Sequence, residues 1–340
     1  MDSVERSDLV DSVIREMETR YVFPDLATKA GSRLRAALRA GNYDGFVDPV
    51  VLADRLTADL QDVTGDKHLR VRHSAAALEP PAPEDSSSIT PEALAAWRQQ
   101  AELRNFGIER VERLPCNVGL LVLSFFDVAS VAGDAITAAM SLLAHTDALI
   151  VDLRDNRGGD PETVALACSY LFDERTHLSD IYIRTTGRTS QYWTRDWVPG
   201  KRFGQHKPVF VLTSPRTFSA AEEFSYDLQS LGRAIIVGQT TRGGAHPGAW
   251  RRVLPHFEVF APIGRAINPV TNGNWEGTGV KPDVDVPEEE ALRVAQILAL
   301  KRLLDRTSQL GNAALAARIT DLGGAGEVPT MRDVPEALRT

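Results

Sequence analysis

The sequence predicts an α/β protein, a β/α core preceded by a helical N-terminal region. Three observations carry this. From Val118 onward, apolar runs of strand length alternate with segments of helical periodicity. Within residues 1–64 the apolar residues recur only at helical spacing. The length of 340 residues favours two domains, or one core with an appendage.

In order, Val10, Val13, Ile14 and Met17 recur every three or four residues, so they share one helix face. A second helix is expected from Leu26 to Leu38. A third runs from Pro49 to Leu60, with Asp48-Pro49 as its start because proline suits the first turn. The stretch 75–95 is rich in Pro, Ser and acid and reads as a mobile linker. A short helix follows from Pro91 to Leu103. Val118–Leu123 and Ala148–Leu153 are continuous apolar runs, which suits strands covered on both faces. Helices are expected over Ala132–Ala144, Pro161–Phe172 and Ser219–Leu231, and strands over Pro208–Thr213 and Ala234–Val237. Such alternation builds right-handed βαβ units in a mostly parallel sheet. Trp250–Ala261 alternates like an antiparallel hairpin, and Glu288–Leu304 is a long amphipathic helix. The tail beyond Gly323 is expected to be loosely held. The expected division is 1–74 (helices ending in a strand at His68), 75–110 (linker and short helix), 111–310 (core) and 311–340 (tail).

Charge narrows the function. There are 46 acidic and 38 basic residues, a net charge of −8. That argues against a nucleic-acid partner and against acidic lipid surfaces. No apolar run is long enough to insert in a membrane. Cys116 and Cys168 have no CxxC spacing and are expected as buried free thiols. No His/Cys/Asp/Glu set has metal-ligand spacing, so neither metal nor cofactor is expected. The acidic N-terminus lacks a signal-peptide pattern, and a cytoplasmic location is expected.

The most informative segment is Pro208–Phe224. A buried strand ends, a short turn follows, and a helix begins at Ser219. A strand end is a rigid, exposed position beside a cleft. A helix start offers unpaired N–H groups that can hold an oxyanion, Ala220 among them. Ser219 is equally a natural helix N-cap, and Ser214 and Thr217 compete for that role. A second segment, Asp152-Leu-Arg-Asp-Asn-Arg-Gly158-Gly159, runs from a buried strand into paired glycines. Gly158 or Gly159 could supply a second oxyanion donor, or mark a plain tight turn.

Taken together, LRDNRGG at 153–159, TFSAAE at 217–222, GQTTRGG at 238–244 and GVKPD at 279–283 resemble the S41 peptidase family in order and spacing. The resemblance covers about residues 115–290, and the helical region ending in Thr64-Gly-Asp-Lys-His68 is similar to the retinoid-binding-protein-like branch. It implies a crotonase-like β/α core and makes Ser219 the nucleophile. The family's tail-specific members use a Ser–Lys dyad. Here Gly244 stands at the lysine position, and there is no segment for a PDZ domain. The tricorn-like branch uses Ser with His and Glu. By the resemblance these are His68, in Asp66-Lys67-His68, and Glu276, in Asn274-Trp275-Glu276-Gly. Lys67 replaces the serine that tricorn-like sites carry beside the histidine.

Serine needs an adjacent base, imidazole titrates near neutrality, and a carboxylate fixes the imidazole tautomer. His246, in Gly-Gly-Ala-His-Pro, is a rival base or a substrate contact. Glu222 and Glu223, one turn beyond Ser219, compete less well with Glu276. Tyr182, Tyr192, Trp193, Trp197 and Phe203 either line a substrate groove or form a small core under a long loop, and Trp250 and Trp275 are candidates for the same wall.

The function expected is serine hydrolysis of peptide bonds. A lipophilic-ligand-binding module and a dedicated small-peptide or ester hydrolase are the alternatives. The substrate would be a peptide or small acyl compound, and monomer and homo-oligomer both stay open.

Overall fold

The computed structural model describes residues 2–79, 90–306 and 312–324. Residues 80–89 of the 75–95 linker, and the tail beyond Gly323 apart from Gly324, lie outside the described residues. In chain order, the first three helices are α1 (Ser3–Arg20), α2 (Pro24–Arg39) and α3 (Pro49–Thr64), followed by strand β1 (Arg70–His73). Then come α4 (Pro91–Leu103), β2 (Ile108–Leu114), β3 (Val118–Leu123), α5 (Ala129–Leu143), β4 (Ala148–Asp152), α6 (Pro161–Ser169), β5 (His177–Ile183) and β6 (Arg188–Trp193). The rest are β7 (Val209–Thr213), α7 (Ala220–Ser230), β8 (Ile235–Gly238), β9 (Gly248–Leu254), β10 (Phe257–Pro262), β11 (Gly264–Ile267), β12 (Val284–Asp285), α8 (Glu288–Arg306) and α9 (Asn312–Asp321).

The described residues form two compact units. The first contains 2–79, 181–190 and 244–267, so the chain returns to it twice. Its helices start where the sequence offers caps. Asp2 and Glu5 make a reciprocal capping box on α1, and Asp48 caps α3 by accepting the Val50 N–H at 2.8 Å. Gly65, at φ +70°, ends α3 in a left-handed turn. Leu9, Val13, Ile14, Leu34, Leu52 and Leu56 are fully buried between the three helices. Beside them lies an antiparallel sheet in the order β1-β10-β9. Its helix-facing side contributes Val71, Phe257 and Val259 to the same core.

The second unit contains 90–180, 191–243, 268–306 and 312–324. Its sheet runs β12-β8-β7-β4-β3-β2, with β2 antiparallel to β3 and the other pairs parallel. Every residue of β4, β7 and β8 is buried, as the apolar runs required. Ile136, Met140, Leu166 and Phe224 from α5, α6 and α7 cover one face. Val294, Ile297, Leu298 and Leu315 from α8 and α9 cover the other.

Two expectations are corrected. Cys168 is buried, but Cys116 is only half-buried: it sits at φ +61° in a tight turn between β2 and β3, which leaves it at the surface. The region around Tyr182–Phe203 carries two strands, and its aromatics separate. Phe203 is in the core beside α5 and α6, Tyr182 packs in the first unit, and Trp197 is 75% exposed.

Candidate active site

The parallel strands β4 and β7 end side by side, and their loops meet. Asp152, at the end of β4, is in register with Leu212 of β7. Ser219 follows β7 as the N-cap of α7, with φ +57° and ψ −122°. An ordinary N-cap is extended, so this strained backbone is not needed for capping alone. Glu222 holds the turn. It is fully buried, and its carboxylate accepts the Ser219 N–H at 2.8 Å, the Thr241 hydroxyl at 2.5 Å and the Gly243 N–H at 2.6 Å. One acid therefore ties the serine turn to the TTRGG loop.

Gly158 lies directly against Ser219. A Cβ on Gly158 would stand 2.7 Å from the Ser219 Cβ and 3.1 Å from the Ala220 nitrogen, and its φ of +107° suits glycine alone. Gly159, at φ +138°, is equally constrained, since a Cβ there would fall 1.9 Å from the Phe126 carbonyl oxygen. Asn156 organises the turn. Its side-chain oxygen accepts the Gly158 N–H at 2.8 Å, its amide donates to the Leu123 carbonyl at 3.0 Å, and its own carbonyl accepts the Phe218 N–H at 3.1 Å. This separates the two glycines. The Gly158 N–H is spent on Asn156. The N–H groups of Gly159 and Ala220 donate to no protein acceptor among the described residues. Gly158 thus supplies clearance, and Gly159 keeps the spare N–H.

Glu276 lies in the same unit, on a loop joined to the TTRGG segment. Gly277 N–H donates to the Gly243 carbonyl at 3.3 Å, and Glu276 N–H donates to the Asn274 side chain at 3.0 Å. Trp275 is buried, its ring 5.4 Å from that of Tyr226. Trp193 stacks on His177 at 4.3 Å with the Arg175 guanidinium over its face. Glu223, next after Glu222, is buried and hydrogen-bonded at 2.6 Å by Ser179. Burial raises its pKa to about 7, against the lowering effect of that hydrogen bond. Burial, with the neighbouring Glu223 charge, also raises Asp227.

The two histidines belong to the first unit, where Asp66 draws them together. Asp66 is 1% exposed. One carboxylate oxygen accepts the His68 backbone N–H at 2.9 Å. The other lies 2.7 Å from His246 Nδ1 and accepts the Tyr21 hydroxyl at 3.1 Å. This fixes the backbone at His68 and the ring of His246. With Nδ1–H directed at the carboxylate, neutral His246 carries its lone pair on Nε2. The His68 ring stacks on Phe260 at 5.9 Å, and Phe23 meets His246 edge-on at 5.2 Å. Gly244 is buried in the same loop as His246.

Sequence reasoning missed three organising residues, Asn156, Glu222 and Asp66. Asn156 and Asp66 sit inside the quoted motifs, and Glu222 appeared only as a weaker rival to Glu276. A buried acid or amide two or three residues from a functional group was the available signal.

Residues 117–286 match peptidase family S41, and residues 5–111 match the N-terminal domain of that family in eukaryotic IRBP. The chain belongs to peptidase family S41. It is 26% identical over 181 residues to the chloroplastic carboxyl-terminal-processing peptidase 1 of Arabidopsis thaliana, a match covering 53% of this chain and 35% of that protein. The chain thus spans about a third of that relative's length. A lipoprotein from Streptococcus agalactiae superposes with a TM-score of 0.54 at 14% identity, covering 87% of this chain and 96% of that one. Tricorn protease superposes with a TM-score of 0.52 at 14% identity, covering 94% of this chain and 37% of that one. These likenesses establish the shared α/β fold. Among the described residues no helix is long and apolar enough to cross a membrane.

Proposed function

We propose that this chain is a serine peptidase with a crotonase-like core, acting through an acyl-enzyme on Ser219. One observation carries the reading: Ser219 holds a strained positive-φ backbone at the head of α7, packed against Gly158 and beside two N–H groups that have no protein acceptor among the described residues. Ser219 Oγ attacks a peptide carbonyl. His68 takes the hydroxyl proton and returns it to the leaving amine, with Glu276 as the carboxylate that steadies the imidazolium. The N–H groups of Ala220 and Gly159 stabilise the oxyanion at the helix start. Water then hydrolyses the acyl-enzyme. The two free thiols favour a reducing compartment such as the cytoplasm.

A second assignment of the base has its own support. His246 Nδ1–H donates to the Asp66 carboxylate, the kind of hydrogen bond that orients a general-base imidazole. Labelling with a fluorophosphonate separates the two. Wild type should label at Ser219 and Ser219→Ala should not. Loss of labelling in His68→Ala, with His246→Ala still labelled, supports the first assignment, and the reverse pattern supports the second. Full labelling of both histidine variants removes histidine as the base. An unlabelled wild type refutes the peptidase reading.

A further inference from the structure

Strand alternation places Arg70 and Arg72 on one face of the first unit's sheet, because Val71 between them enters the core, and the His68 ring, in the turn before β1, lies on that same side against Phe260. That face continues across the neighbouring strands. Arg70 is in register with Phe260, and Phe260 with Trp250. Arg72 is in register with Glu258, and Glu258 with Arg252. Directly opposed residues point to the same side of a sheet. The contacts agree: the His68 ring stacks on Phe260, Trp250 meets Phe260 edge-on at 5.6 Å, and the Arg72 guanidinium lies 4.1 Å over the Trp250 ring.

Charge on this face is unbalanced. Among the described residues, three arginines (Arg70, Arg72 and Arg252) meet one carboxylate, Glu258, which is paired to Arg72. Arg252 donates to the Leu78 carbonyl at 2.9 Å. The Arg70 side chain is exposed and makes no hydrogen bond or ion pair among the described residues. In a chain of net charge −8 this is a local cationic stripe beside an aromatic floor.

We infer that this face is a substrate-binding platform for acidic peptide segments, with Arg70 as its main determinant. The inference rests on His68 lying at the reaction centre. An extended peptide and β1 share the same repeat, in which side chains on one side recur about every 6.6 Å. A substrate running along β1 therefore presents alternate side chains to Arg70 and then Arg72. Carboxylates at those positions match the guanidinium groups.

Binding can be read without turnover, using the full-length Ser219→Ala protein and a fluorescein-labelled octapeptide of alternating Glu and Leu. Two control probes are the same residues in two blocks, and alternating Lys and Leu. Fluorescence anisotropy should rank the alternating Glu peptide tightest. Adding Arg70→Glu should weaken it about fivefold or more, while Arg70→Lys should retain binding. The preference should fade in high salt. Equal affinity for the three probes, or no change with Arg70→Glu in a protein of unaltered circular dichroism, overturns the proposal. Failure of the catalytic reading shows differently, as loss of fluorophosphonate labelling in wild type while the Arg70-dependent ranking persists.

Discussion

Gly158→Ala isolates the contact that makes Ser219 special. The added methyl would meet the Ser219 Cβ at 2.7 Å, and ordinary van der Waals contact begins at 3.4 Å, so one partner must retreat by 0.7 Å (3.4 − 2.7). The Phe218 carbonyl oxygen at 3.0 Å and the Ala220 nitrogen at 3.1 Å block other directions. The φ of +107° adds backbone strain of roughly 1–3 kcal/mol. Displacing a reacting atom by about 1 Å costs on the order of a hundredfold in rate. Fluorophosphonate labelling of Ser219 should therefore slow by about 10²-fold, with stability lowered by only about 1–3 kcal/mol. The control is Gly187→Ala, also at positive φ (+65°) but with nothing within 4 Å of the new Cβ. It should lose stability and keep its labelling rate. If Gly158→Ala labels within threefold of wild type in the folded state, the close approach is not part of the catalytic geometry.

Asn156→Ala should destabilise the protein by roughly 2–4 kcal/mol in denaturant titration, because it strands the buried Gly158 N–H and Leu123 carbonyl. Asp66→Asn keeps the size but removes the charge that faces His246 Nδ1, so the pH profile of labelling should change more than the melting temperature. An unchanged profile would make Asp66 a purely structural residue. Glu223 has a folded pKa near 7, raised by burial above its ordinary 4.5, so the folded state binds the extra proton between those values. Its contribution to stability is present below about pH 4.5 and is lost as pH rises through 7. Glu223→Gln should hence gain stability relative to wild type at pH 8, with little difference at pH 5, in chemical denaturation.

The pattern of apolar residues located most of the parallel strands and the helices that cover them. β4, β7 and β8 are short runs of Val, Ile and Leu buried on both sides, a composition few other structures accept. The weaker strands were missed. β2 reads IERVERL, and at a sheet edge it needs little apolar content because one side pairs and the other faces solvent. β6, RTSQYW, is exposed along most of its length and carries no burial signal. The loop chemistry of Ser219 and the paired glycines was legible because strained turns demand particular residues.

Sequence by itself determined which residues could do chemistry, and local order sufficed for that. Ser219 follows a buried strand, and Gly158 and Gly159 follow another. Only tertiary structure decided how those residues are used. Whether Gly158 or Gly159 keeps a spare N–H depends on Asn156 folding back onto one of them. Whether a histidine has a carboxylate partner depends on Asp66 meeting His246, 180 residues away in the chain. Such pairings leave no periodic trace, because each is made by one side chain at the end of a long-range fold rather than by a repeating face.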